Sequence, residues 1–105
     1  MSFELVCELA QLPVGQPMLA EIGGLRVAMV HADDGQVYAV ADECSHGKVS
    51  LSEGEVDGCF IECWLHGSRF DLRTGKPKTP PATMPIATYP VRIEGTAVLV
   101  DVTES

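Results

Sequence analysis

The chain is short of positive charge. Seven Lys and Arg stand against fifteen Asp and Glu, a formal net charge of −8 in 105 residues. A surface so acidic argues against nucleic acid and anionic membranes as partners, and either favours docking on more basic protein surfaces or simply serves solubility. Long apolar runs are missing as well: nothing approaches the roughly 18 residues of a membrane span, and residues 1–20 carry no charged-then-apolar leader. The cytoplasm is the expected location. Aromatics make up only 6 % and histidine occurs three times. Few histidines mean few places for metal or acid–base chemistry. At this length one domain fits, able to bury roughly two-thirds of its unfolded surface, and 46 % apolar residues supply a modest core.

Two of the three histidines are paired with cysteines. Cys44-Ser45-His46 is followed, after sixteen intervening residues, by Cys63-Trp64-Leu65-His66. Each pair is too short to wrap a metal alone, so the fold must bring two loops together, each giving one thiolate and one imidazole. Two Cys and two His suit a two-iron, two-sulfide cluster with Cys on one iron and His on the other. They also suit a tetrahedral zinc, although zinc fingers usually present a Cys pair and then a His pair, whereas here the types alternate. Order alone leaves zinc open, and so does the reading of these residues as unrelated buried thiols and loop histidines.

The surrounding residues narrow the choice. His46-Gly47, the run Trp64-Leu65-His66-Gly67-Ser68-Arg69-Phe70-Asp71-Leu72-Arg73-Thr74-Gly75, Pro80-Pro81-Ala82 and Tyr89-Pro90-Val91 resemble the Rieske-type ferredoxins over nearly the whole chain. The resemblance implies Cys44 and Cys63 on the inner iron, His46 and His66 on the outer iron near the surface, and a Ser68 hydroxyl bonded to a bridging sulfide. Cytochrome bc-type relatives add a disulfide-forming Cys in each loop; the matching positions are Val49 and Leu65, and Phe70 stands where they have Tyr. The chain therefore resembles the low-potential ferredoxin branch. Its oxidised site is near neutral, since two ferric ions, two sulfides and two thiolates cancel, and neutral imidazoles add nothing. The expected potential lies at the low end of the Rieske range, about −150 mV.

Function follows as an expectation. The resemblance implies a one-electron carrier between a flavin-dependent ferredoxin reductase and the terminal non-heme iron oxygenase of a ring-hydroxylating system, monomeric and without catalysis of its own. An oxygenase subunit needs a second iron on two His and one carboxylate, and only His31 remains. An accessory Rieske protein of iron–sulfur assembly, nitrite reduction or redox sensing is the alternative.

The expected fold is all-β: an antiparallel Rieske-like sandwich forming a single domain over 1–105, with a cluster-binding subdomain at 43–84 inserted in the β scaffold. Gly23-Gly24, Asp34-Gly35, Asp57-Gly58 and Glu94-Gly95 punctuate short runs rich in Val, Ile, Leu, Tyr and Phe, as hairpins do. Strands are expected over 3–8, 18–22, 25–31, 36–41, 58–62, 68–71, 88–94 and 97–103, with no long helix. Gly47 and Gly67 are expected to let backbone N–H groups approach the cluster sulfur, or simply to permit turns. Pro80 and Pro81 are expected to stiffen a loop over the cluster. Trp64 reads as core packing and His31 as a surface loop residue. Cys7 and Cys59 read as thiols, Cys59 lying about 13 Å from Cys63 along a strand. Lys48 and Arg69 are either docking charges or solvated loop charges.

Overall fold

The computed structural model describes residues 3–43, 49–64, 67–78 and 84–102. Among the described residues ten strands make three antiparallel sheets. The first sheet has the order β1 (Glu4–Glu8), β10 (Ala97–Val100), β9 (Val91–Glu94). The second runs β2 (Met18–Ile22), β3 (Leu25–His31), β4 (Val37–Ala41), β8 (Thr88–Tyr89). The third runs β5 (Glu55–Asp57), β6 (Phe60–Glu62), β7 (Arg69–Asp71), and lies in sequence between β4 and β8, which pair with each other. Two 3-10 turns, Leu9–Gln11 and Leu51–Glu53, are the helical elements among the described residues.

The second sheet is the central layer. Val27 and Met29 of β3, with Val37 and Ala39 of β4, face a core shared with Cys7, Val98 and Val100 of the first sheet. Ala28, Val30 and Val40 point the other way, into a core shared with Leu51, Ile61, Cys63, Phe70 and Leu72. A strand covered on both sides has no solvent face, so β3 reads as a continuous apolar run rather than an alternation. The third sheet is covered on one side only and alternates: Val56, Ile61 and Phe70 turn inward while Glu55, Asp57, Glu62 and Arg69 turn outward.

All four glycine-bearing punctuation points join paired strands. Several strand expectations change. Residues 88–94 do not form one strand: Pro90, which has no N–H to donate, separates β8 in the central sheet from β9 in the first, so the chain switches layers there. β5 was not expected, because Glu-Val-Asp offers a single apolar residue to signal it. The expected strand at 97–103 ends at Val100.

Candidate metal centre

Two loop necks rise from the core between the central and third sheets. The first follows β4. Its base is a main-chain pairing of Glu43 with Ser50. Just below it the Asp42 N–H donates to Arg26 O at 3.1 Å and the Leu51 N–H donates to Asp42 O. The buried Asp42 carboxylate accepts the Ser52 N–H at 2.8 Å. Leu51 then drops into the core, fully enclosed, and Val49 packs against the same cluster.

The second neck joins β6 to β7. Glu62 pairs with Arg69, and the Cys63 N–H donates to Ser68 O at 2.7 Å. The Gly67 N–H donates to Cys63 O at 2.8 Å, closing a tight turn that Gly67 enters at φ +74°, a conformation L side chains rarely adopt. Gly67 thus makes the turn that closes this neck. Cys63 and Ser68 are both wholly buried.

Leu51 at the foot of one loop and Cys63 at the foot of the other share one core. Gly54 tightens the link, because a β-carbon there would collide with the Glu62 carbonyl, one residue before Cys63. Of the expected site residues, Cys63, Gly67 and Ser68 fall in the second neck, whereas Cys44, His46, Gly47 and His66 lie outside the described residues, as do Lys48, Leu65, Pro80 and Pro81. The described part fits a thiolate-held cluster. Cys63 is a free thiol, enclosed at the foot of its loop, with the foot of the other Cys/His loop against the same apolar wall. Such enclosure suits a metal ligand shielded from water.

Several residues depart from their sequence reading. Trp64 is not core: it is 53 % exposed, in the turn that follows the buried Cys63. His31 is not a loop residue; it ends β3, pairs with Val37, and its Nδ1–H donates to Leu12 O at 3.0 Å. Arg69 is no solvated loop charge, since it lies in β7 near Glu62 at 3.6 Å and Asp57 at 3.7 Å. Cys7 and Cys59 are free thiols. The Cys59 thiol donates to Asp34 Oδ2 at 3.4 Å, and burial first, then that bond, pushes its pKa up. Asp42 and Gly54 drew no notice in the sequence. Asp42 directly after the apolar Val37–Ala41 strand was the available signal; for Gly54, whose need arises from a contact with Glu62, there was none.

Comparison with known proteins agrees with this geometry. The chain is 43 % identical over 102 residues to the biphenyl dioxygenase ferredoxin subunit of Pseudomonas sp. strain KKS102, spanning 96 % of this chain and 93 % of that one. Its structure is similar to the ferredoxin of carbazole 1,9a-dioxygenase from Nocardioides aromaticivorans IC177, with TM-score 0.90, 37 % identity and coverage of 95 % and 97 %. It is also similar to a chain in a complex of reduced oxygenase and oxidised ferredoxin of carbazole 1,9a-dioxygenase, with TM-score 0.86, 35 % identity and coverage of 93 % and 91 %. The family model for the Rieske [2Fe-2S] domain matches residues 2–90, so this chain belongs to the Rieske [2Fe-2S] family and its cofactor is a Rieske-type 2Fe-2S cluster.

Proposed function

We propose that the chain is a soluble one-electron carrier, a single Rieske domain over 1–105 in which 43–84 is the cluster-binding subdomain. Cys44 and Cys63 hold one iron and His46 and His66 the other. The observation that carries the reading is the pair of loop necks on a common core, each followed or preceded by one Cys/His pair. The bound cluster supplies reversible uptake of one electron at a neutral site. The protein's part is to hold and shield. Leu51, Ile61, Phe70 and Leu72 form the dry wall behind Cys63. Gly67 and Gly47 permit close approach of main chain to the cluster, and the Ser68 hydroxyl serves a sulfide. By the family likeness the imidazoles of His46 and His66 would be the ligands a docking partner meets.

The relatives are ferredoxin subunits of dioxygenase systems, and one solved relative is in complex with its oxygenase. By that likeness the chain delivers electrons to a terminal oxygenase, and we infer that it receives them from a flavin-dependent reductase, in the cytoplasm and as a monomer. The accessory reading is not favoured by these relatives. Among the described residues no helix is long and apolar enough to cross a membrane. His31, the histidine left after the two ligand pairs, is engaged with Leu12 O, so a second iron on two His and a carboxylate cannot be assembled.

Reconstitution tests the reading. The isolated chain, reduced chemically, takes up one electron and forms no product from aromatic substrates with oxygen. Turnover by a reductase and oxygenase of the same system requires it. Oxygen-dependent product from the homogeneous chain alone would overturn the carrier role.

A further inference from the structure

The neck of the first loop is held by a buried charge whose counter-charge lies outside. Asp42 is 2 % exposed, its Oδ1 accepting the Ser52 N–H at 2.8 Å. Arg26 Nη2 stands 3.8 Å from Asp42 Oδ2, beyond hydrogen-bond length, and donates instead to Ser50 Oγ at 3.2 Å. The guanidinium side is 61 % exposed. It borders an open cavity of about 320 Å³ lined by Arg26, Asp42, Glu43, Val49, Ser50 and Tyr89 among others. Water there screens the cation more than the enclosed carboxylate. The pair therefore leaves a net negative field on its protein side.

Along the chain the carboxylate is close to the proposed ligand Cys44. Two peptide units separate Asp42 from Cys44, so their α-carbons are at most about 7.6 Å apart. Taking up an electron makes the site more negative, and a fixed anion nearby opposes it while a cation favours it. We propose that Asp42 is a positioning residue that clamps the neck of the Cys44/His46 loop and also holds the reduction potential down, with Arg26 acting weakly in the opposite sense. The inference rests on the reading of Cys44 as a ligand.

The experiment is redox titration of the holoprotein with Asp42→Asn and Arg26→Gln, each monitored by the cluster's EPR signal. Asparagine keeps the acceptor for Ser52 and loses the charge. Asp42→Asn is expected to raise the reduced-to-oxidised ratio at fixed potential at least threefold, an upward midpoint shift of about 28 mV at about 59 mV per tenfold for one electron. Arg26→Gln is expected to shift the midpoint down. A purely structural clamp predicts lower thermal stability in both variants with midpoints unmoved, which would overturn the proposal. Should Asp42→Asn fail to hold a cluster, exposed Arg26 decides, and an unmoved or raised midpoint in Arg26→Gln refutes the field. A wild-type protein lacking the mixed Cys/His 2Fe-2S signal would instead refute the ligand reading.

Discussion

Gly54 lies against the carbonyl of Glu62 so closely that a single added methyl group has no place to go. The contact couples the 3-10 turn after the first loop to the residue that precedes Cys63. Gly54→Ala must therefore push β6 outward or distort the turn, a cost of about 1–3 kcal/mol by the usual scale of overpacking. The Glu62 backbone moves with Cys63, so cluster retention should fall along with thermal stability. Gly95→Ala is the comparison: its φ of +64° carries strain, but nothing lies within 4 Å. It should lose stability alone and keep its iron. Melting curves and iron analysis on both variants check this, and equal iron loss would show that the Gly54 contact is unrelated to the centre.

Ser68 is enclosed beside Cys63, and its carbonyl accepts the Cys63 amide. If its hydroxyl serves a bridging sulfide, the bond strengthens as the cluster gains negative charge and so raises the potential. A difference of roughly 1 kcal/mol between redox states corresponds to about 40 mV for one electron. Ser68→Ala should lower the midpoint by that amount with full cluster content, since the carbonyl that closes the neck remains. An unchanged midpoint with reduced stability would leave Ser68 a turn residue only.

The hairpins were legible because their turns carry Gly where φ is positive, at Gly23, Gly24, Gly35, Gly58 and Gly95, and because register follows from the turn. The Cys/His pairs stand out in the sequence because metal chemistry demands particular residue types at particular spacings, and their role as ligands is the proposed one. What escaped reading depends on distant neighbours. The Val27–Val30 run shows its double burial only once sheets are seen on both sides of β3. Trp64 is apolar and follows a buried Cys, and its exposure comes from the turn that begins after Cys63. The value of Asp42 likewise rests on Ser52, Arg26 and the fold that encloses it.

The β3–β4 turn carries a pH-sensitive bond to the strand that follows it. The Tyr38 hydroxyl donates to Asp34 Oδ2 at 2.7 Å. Burial, followed by that bond, pushes the Tyr38 pKa up to about 12 from 10.0. The Gln36 N–H, then the Tyr38 hydroxyl, hold the Asp34 carboxyl below its ordinary 3.8. Tyr38 is protonated more firmly when folded, so its contribution is whole below pH 10 and is lost as pH climbs toward about 12. Asp34 works in the opposite direction: its contribution is present above about 3.8 and disappears as pH falls through its lowered value. These two groups by themselves leave stability level between their limbs. The difference in absorbance titration between wild type and Tyr38→Phe should show one phenol ionising near 12; ionisation near 10 would mean that the bond does not form in solution.

The last prediction separates the cysteines by their surroundings. Cys59 sits at the β5–β6 turn with its thiol on an exposed carboxylate, and its raised pKa makes it a poor source of thiolate. Serine can replace it, since a hydroxyl donates to Asp34 as well or better. Cys63 has no such substitute: it is enclosed by Leu51, Ile61, Phe70 and Leu72, and in the proposed ligand set its thiolate joins the second loop to the first through the metal. Because a site linking two loops converts metal binding into folding energy, Cys63→Ser should lose the two irons and two labile sulfides together and render 43–84 more open to protease. Cys59→Ser should keep both, with wild-type colour and EPR signal. Iron and sulfide analysis on the two purified variants checks this, and a Cys63→Ser protein with a full cluster would remove Cys63 from the ligand set.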